Sequence, residues 1–246
     1  MPANFRLQPG LFACYSQMLE AGSHRHHAIQ LTIPDGSAEL AIEGATFSGA
    51  SLLAPNVMHQ LDMESGWVWL VEPESTLGEV FLERLNGDTC ISVKALSCDV
   101  DINQQFDFVS ERIEKQSPHL SRHRFPMETE YVQLDSRIQG LLERLNQCFG
   151  QVCVKPDHWG ASDVAEDVAL SESRFLHLFK ENMGIAWRPY LLWRRLLCAI
   201  GMLNSGKSAT ESAYMSGFAD SAHLSRTFKQ HFGLTIREAI KLFEQH

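Results

Sequence analysis

The chain has 246 residues, 44% hydrophobic, 9% aromatic and 21% charged, proportions of a folded globular protein with room for one large domain or two small ones. Disorder is excluded as its main state. No apolar run approaches the roughly 18 to 20 residues of a membrane span, and the opening Met1-Pro2-Ala3-Asn4-Phe5-Arg6 lacks the basic-then-apolar order of a signal peptide, so a cytoplasmic protein with no membrane contact is expected.

The formal charge of -9 at first opposes a phosphate-rich partner. Its distribution is uneven: residues 1–115 carry 6 basic and 16 acidic side chains, residues 116–150 carry 4 and 4, and residues 151–246 carry 11 and 10. The acid excess is confined to the N-terminal part, which suggests two domains with different partners. Six cysteines, at 14, 90, 98, 148, 153 and 198, are scattered without a Cys-x-x-Cys pair. They suggest neither a zinc ribbon nor a disulfide framework and are expected to be reduced, mostly buried thiols.

From Phe5 to about Leu96, short apolar stretches such as 28–33, 38–42 and 67–71 alternate with turn signals at Asp35-Gly36, Gly44, Gly49, Pro55 and Gly66. Many short strands at that spacing predict an all-β sandwich or barrel. The pattern turns helical at Asp101, with Phe106, Val109 and Ile113, and residues 117–126 read as a connector. Between Leu134 and Phe149 apolar side chains fall at 134, 138, 141, 145 and 148, an a/d-type stripe of about two heptads. It predicts one amphipathic helix packed on its own domain, with a dimer seam as the alternative. The domains expected are a β-rich domain over 1–100, a helix and connector over 101–133 available for dimerisation, and an all-helical domain over 134–246.

Residues 160–246 contain an internal repeat. The stretch from Ser171 to Gly184 aligns without gaps to the stretch from Asp220 to Gly233, sharing Phe179/Phe228, Lys180/Lys229 and Gly184/Gly233. Ser171 and Asp220 are good N-cap residues, and the two glycines stand where a helix C-terminus needs positive φ. A shorter helix precedes each copy, from Asp163 in the first and Ser208 in the second, where Ser208 and Glu211 have capping-box spacing. Ala165 and Ala213 fall where two such helices would touch, and Ala169 and Gly217 open the turn between them. A short helix, a tight turn and a capped second helix, twice, make a double helix-turn-helix. Between the copies, Pro189 opens and Ser205-Gly206 closes a helix apolar nearly all round, suited to a buried spine. At about 1.5 Å per residue, such a helix and its turns would hold two recognition helices about one DNA turn apart.

The last hundred or so residues resemble the AraC/XylS transcriptional regulators. The resemblance rests on Val164-Ala165, Leu170-Ser171, Phe179-Lys180 with Gly184, Tyr190 with Arg195 and Ala199, Gly217-Phe218-Ala219-Asp220, and Arg226-Thr227-Phe228-Lys229 leading to Phe232-Gly233. Where the family has Ser-Pro and then Tyr-Arg, this chain has Thr235-Ile236 and Ala239-Ile240. The resemblance implies double-stranded promoter DNA as partner, a homodimer, and RNA polymerase as a further partner in the case of an activator. With Phe175, Leu178 and Phe179 facing inward, the first recognition helix presents Ser173, Arg174, His177 and Glu181, with Lys180 beside them. The second presents Ala222, His223, Arg226 and Gln230, with Lys229 beside them. Arginine and histidine suit guanine edges or phosphates, and lysine suits the backbone.

The N-terminal half carries His24-Arg25-His26-His27, then Gln30, Gly36, Gly49 and Pro55 to His59. In a strand His24 and His26 share a face, and a third imidazole would complete a metal triad. The spacing is similar to the cupin motifs, a fold that AraC/XylS sensor domains often adopt, although Gln30 replaces the usual Glu. The fold class expected is thus two domains: a cupin-like all-β barrel with following helices, then an all-α double helix-turn-helix. His24, His26, Gln30 and His59, with Trp67 and Trp69, are the candidate effector pocket for an unidentified small molecule. No cofactor is required, His24, His26 and His59 being the side chains that could hold a metal. The leading reading is an effector-responsive, sequence-specific DNA-binding regulator rather than an enzyme. The alternatives are a cupin-type metal-dependent enzyme and a DNA-binding regulator with a vestigial sensor.

Overall fold

A computed structural model describes residues 5–93, 134–150 and 159–244. The helix expected over 101–116 and the connectors at 117–126 and 153–158 lie outside the described residues. Two compact units divide the chain, one of Met1–Glu130 with Phe228–His246 and the other of Tyr131–Thr227.

The first unit is built on strands β1 (Phe5–Gln8), β2 (Leu11–His24), β3 (Ile29–Pro34), β4 (Ala38–Ile42), β5 (Ala45–Ser48), β6 (Ser51–Leu53), β7 (His59–Val71) and β8 (Cys90–Ser92). They form one antiparallel sheet in the order β1-β2-β7-β3-β6-β8, with the β4-β5 hairpin laid on β7. β7 organises it: β2 follows one edge along its length, while the other edge is shared between β4 (at 59–63) and β3 (at 66–71). Gly66 stands at that change of partner with φ 144. A Cβ there would collide with the Ile33 carbonyl and the Pro34 Cα, so only glycine lets the two backbones approach.

Alternation places Leu11 and Ala13 of β2, Ile29, Leu31 and Ile33 of β3, and Trp67, Trp69 and Val71 of β7 in one buried cluster. Against it packs α1 (Thr76–Leu85), through Leu77, Val80, Phe81 and Leu85. This helix corrects the reading of 5–96 as strands throughout. Its start is specified locally, by the Ser75 hydroxyl accepting from the Gly78 N–H at 3.0 Å, and its 77/80/81/85 stripe has helical period.

The second unit contains α2 (Ser136–Gly150), α3 (Ala161–Asp167), α4 (Glu172–Met183), α5 (Trp187–Asn204) and α6 (Ala209–Met215). α7 (Ser221–Phe232) begins in it and ends in the first unit, to which α8 (Ile236–Glu244) belongs. On α2 the residues described as buried are Ile138, Leu141, Leu142 and Leu145, in one core with Trp159, Phe175, Phe179, Trp187 and Tyr190, so positions 138, 141 and 145 of the stripe pack inside their own unit. α5 is the expected spine, with Tyr190, Leu196, Leu197, Ala199 and Ile200 buried around its circumference. The Trp187 indole, between the rings of Phe175 and Phe179 at 5.4 and 5.0 Å, donates its Nε1–H to the Trp159 carbonyl at 3.2 Å.

The cysteines differ from expectation at one position. Cys14 and Cys90 are free, and burial pushes their thiols up to about 12 and about 11. Cys198 is disulfide-bonded. Scattered spacing in the sequence does not reveal which cysteines folding brings together.

Candidate functional site

Each helix-turn-helix is assembled from local signals. In the first, the Ser171 hydroxyl accepts from the Arg174 N–H at 3.3 Å, and α4 ends at Gly184 with φ 61. In the second, Ser208 and Glu211 close the capping box that begins α6, and the Asp220 carboxylate accepts the His223 N–H at 2.6 Å at the start of α7. Ala165 and Ala213 are both 1% exposed, small enough for the helices to approach. The turn residues Ala169 and Gly217 both have positive φ, 54 and 81. Thr235 and Glu238 cap α8 reciprocally, with Thr235 N–H to Glu238 Oε2 at 2.6 Å and Glu238 N–H to Thr235 Oγ1 at 3.2 Å. Where the family has Ser-Pro, this chain therefore still specifies a helix start.

Helix phase then decides what is presented. On α4, Phe175, Leu178, Phe179 and Met183 are buried, and Ser173, Arg174, His177, Lys180 and Glu181 are exposed. On α7, Leu224, Thr227, Phe228 and Phe232 are buried, and Ala222, His223, Arg226, Lys229 and Gln230 are exposed. By the repeat alignment Arg174 corresponds to His223, His177 to Arg226, and Lys180 to Lys229, so each face offers one arginine, one histidine and one lysine. Two contacts qualify their freedom. His177 Nε2 lies 3.1 Å from Glu181 Oε1 one turn on, and the His223 ring meets Phe218 edge-on at 5.3 Å. The Asp135 carboxyl is held down to about 2 by hydrogen bonds from Arg137, to which the Arg174 charge adds.

Two arginines of the spine act inside the fold. Arg194, 5% exposed, donates to the Tyr190 hydroxyl at 3.2 Å and to Asn146 Oδ1 at 2.8 Å. That ties α5 to α2. A Cβ on Gly217 would stand 3.2 Å from Arg195 Nε, so Arg195 lies against the turn of the second motif. The pairing of Arg194 with Asn146 had no signal in the sequence, because the partners are 48 residues apart.

In the first unit the structure brings four of the six candidate pocket residues together. His24 ends β2, His26 follows it, His59 begins β7, and the two strands pair His24 with His59. The ring centroids of His24 and His59 are 4.1 Å apart, those of His26 and His59 5.1 Å, and those of His24 and His26 5.6 Å. One nitrogen from each of the three rings fits within a mutual 4.8 Å. Every Nδ1 faces a backbone carbonyl: His24 that of Gly22 at 2.7 Å, His26 that of Ala28 at 2.9 Å, and His59 that of Val57 at 2.9 Å. A carbonyl only accepts, so each Nδ1 carries the proton and, in a neutral ring, each Nε2 carries the lone pair.

Burial pushes His24 down to about 4 and His26 down to about 3, with neighbouring imidazoles adding to both, and burial lowers His59 as well. The cluster is therefore neutral near pH 7. The structure places Gln30 Oε1 3.2 Å from both His26 Nε2 and His59 Nε2, and Gln30 Nε2 donates to the Thr32 hydroxyl at 3.3 Å. With lone pairs on both ring nitrogens, the amide turned by a half-turn, its NH2 group toward the rings and its oxygen toward Thr32, is the orientation that pairs every group in the metal-free protein. Trp67 and Trp69 lie elsewhere. They share the α1-covered cluster with Ile29, Leu31 and Ile33, whereas Gln30 and Thr32 occupy the alternate positions of β3 and point to its other face.

The family described as "Helix-turn-helix domain" matches residues 164–241. An uncharacterized HTH-type transcriptional regulator, YidL of Escherichia coli strain K12, is 34% identical over 89 residues, which is 36% of this chain and 30% of that protein. The HTH-type transcriptional activator RhaS of Salmonella schwarzengrund is 34% identical over 106 residues, 42% of this chain and 36% of that one. Over these residues the chain is similar to the DNA-binding part of AraC-type regulators. It spans about a third of the length of these curated relatives. Among solved structures, a variant of apo ToxT from Vibrio cholerae superposes with a TM-score of 0.56 at 11% identity, covering 97% of this chain and 100% of that one. Wild-type ToxT with a bound unsaturated fatty acid gives 0.52 at 12% identity, covering 96% of each chain. At such identities the likeness is one of fold: an antiparallel β region followed by helices.

Proposed function

We propose that the protein is a sequence-specific DNA-binding transcriptional regulator whose N-terminal β unit binds a small effector. The observation that carries this reading is the repeated, separately capped helix, presenting Arg174, His177 and Lys180 in one copy and His223, Arg226 and Lys229 in the other. A basic trio recurring on the solvent side of two equivalent helices suits entry into the major groove, arginine or histidine meeting base edges and lysine the phosphates. Ser173, Ala222 and Gln230 complete the two faces. The partner is double-stranded promoter DNA. No helix among the described residues is long and apolar enough to cross a membrane, consistent with action in the cytoplasm. The reading needs no catalysis and no resident cofactor.

The near balance of charge over 151–246 means that one copy binds DNA weakly at physiological salt. Dimerisation makes up the deficit. Since Ile138, Leu141 and Leu145 of α2 are spent on their own core, the segment 101–133 is the candidate dimer element. If the protein activates transcription, RNA polymerase is a further partner. The fatty acid in a ToxT structure supports a small-molecule effector for the β unit.

The test is a gel shift on the DNA upstream of the protein's own gene. Arg174→Ala and Arg226→Ala should each weaken binding by about 1 to 3 kcal/mol, roughly 5- to 150-fold. Undiminished affinity in both variants would sink the assignment.

A further inference from the structure

We propose that His24, His26 and His59 form a binding site for a divalent transition-metal ion, and that this ion is the effector of the β unit. The binding site stands on the first unit alone; the effector role rests on the regulator reading above.

The three side chains come from the end of β2, the connection after it and the start of β7, and all are at most 5% exposed. Their nitrogens lie within 4.8 Å of one another. Bonds of about 2.0 to 2.1 Å to a common ion would draw ligand nitrogens to within about 3 to 3.5 Å, so the cluster closes by rotating side chains rather than by moving strands. The support behind the rings is that of a ligand set. Metal-bound imidazole usually gives its second N–H to a carbonyl or carboxylate, which fixes tautomer and ring plane. Here all three do so, each to a carbonyl two residues away, so that Nε2 is the nitrogen each neutral ring would turn to an ion.

Donor chemistry sets the ion class. Three imidazoles suit zinc, cobalt, nickel, copper or iron(II), and are poor ligands for magnesium or calcium. Gln30 already touches two of the rings. With its oxygen toward the rings, as the structure places it, the amide offers a fourth ligand. Among the described residues no carboxylate belongs to the set, so these ligands do not neutralise the positive charge of the ion. That weakens binding and suits an ion whose occupancy follows its free concentration. A route outward exists within the first unit. The Gly22 carbonyl holds His24 Nδ1, and the Gly22 N–H donates at 3.2 Å to the carbonyl of Gly233, the residue after α7.

The test uses the full chain, stripped with chelator, titrated with Co(II) by visible absorption and with Zn(II) by calorimetry. One ion per chain is expected. His59→Ala should lower affinity beyond the ~10- to 100-fold that loss of an outer partner costs, and Gln30→Glu, which supplies a charged ligand, should raise it about 10-fold or more. The gain in the second variant separates a ligand set from a merely structural cluster, and does not depend on His59→Ala folding well. Absence of stoichiometric binding in folded protein, or binding indifferent to both substitutions, overturns the site. Gel shifts with and without Zn(II) then test the effector role: a change in affinity supports it, and equal affinity overturns it while the site stands. Failure to bind DNA in either state would count against the regulator reading, not against the site.

Discussion

The two turns of the repeat allow a reciprocal experiment. Ala169 and Gly217 occupy equivalent places and both have positive φ, 54 and 81, yet only one is glycine. Left-handed backbone costs an L-residue about 1 to 2 kcal/mol, and glycine gives back about 0.4 to 1 kcal/mol through the unfolded chain. Ala169 is exposed, so its methyl group contributes little burial. Ala169→Gly should then stabilise the second unit by about 0.5 to 1 kcal/mol. Gly217→Ala reverses that difference, and its Cβ also presses on Arg195 Nε at 3.2 Å, for a loss of about 1 to 2 kcal/mol. At about 2 to 4 °C per kcal/mol for a chain of this size, calorimetry should show a rise of a few degrees for the first variant and a fall of similar or larger size for the second. A fall for Ala169→Gly, or no change for Gly217→Ala, would refute the argument that these turns are limited by backbone conformation.

Removing the capping box with Ser208→Ala should cost about 1 kcal/mol, measured by urea unfolding, while the slope of the transition stays unchanged. Gly66→Ala should cost about 3 kcal/mol or more, since Ile33 and Pro34 backbone atoms occupy the space of the added Cβ; a normally folded, equally stable variant would show that the β3-β7 crossing is looser than described. The histidine cluster makes the metal-free protein acid-sensitive. In the unfolded chain His24 and His26 titrate near the ordinary 6.5, but in the fold they are held down to about 4 and about 3. The unfolded state therefore takes up protons first, and stability present above pH 6.5 is lost as pH falls towards 4, by about 2 kcal/mol per ring at pH 5. Chelator-treated protein should melt lower at pH 5 than at pH 7.5, and His26→Asn or His26→Phe should reduce the difference; an identical melting temperature would contradict neutral, buried rings.

Much of the helical part was legible because its signals are local. Ser171, Ser208 and Asp220 cap the helix they precede, Gly184 and Gly233 end the helix they follow, and the repeat shows the same solution twice. Helix phase needed only Phe175, Leu178 and Phe179 to decide that Arg174 and His177 are exposed. The helix over 76–85 interrupts the strands, and Ser75 with the 77/80/81/85 stripe carries the same kind of local signal at shorter range.

What the sequence by itself determined was the order of elements, the two-part charge division and the face of each recognition helix, since all depend on residues within a turn or two of one another. Only the tertiary structure decided which distant groups meet. It paired His24 with His59 across β2 and β7, turned Gln30 onto both rings, and sent Trp67 and Trp69 to the opposite core under α1. Strand register governs these choices, and register is set by the whole sheet: alternation says which residues share a face, but not which face of another strand they will find.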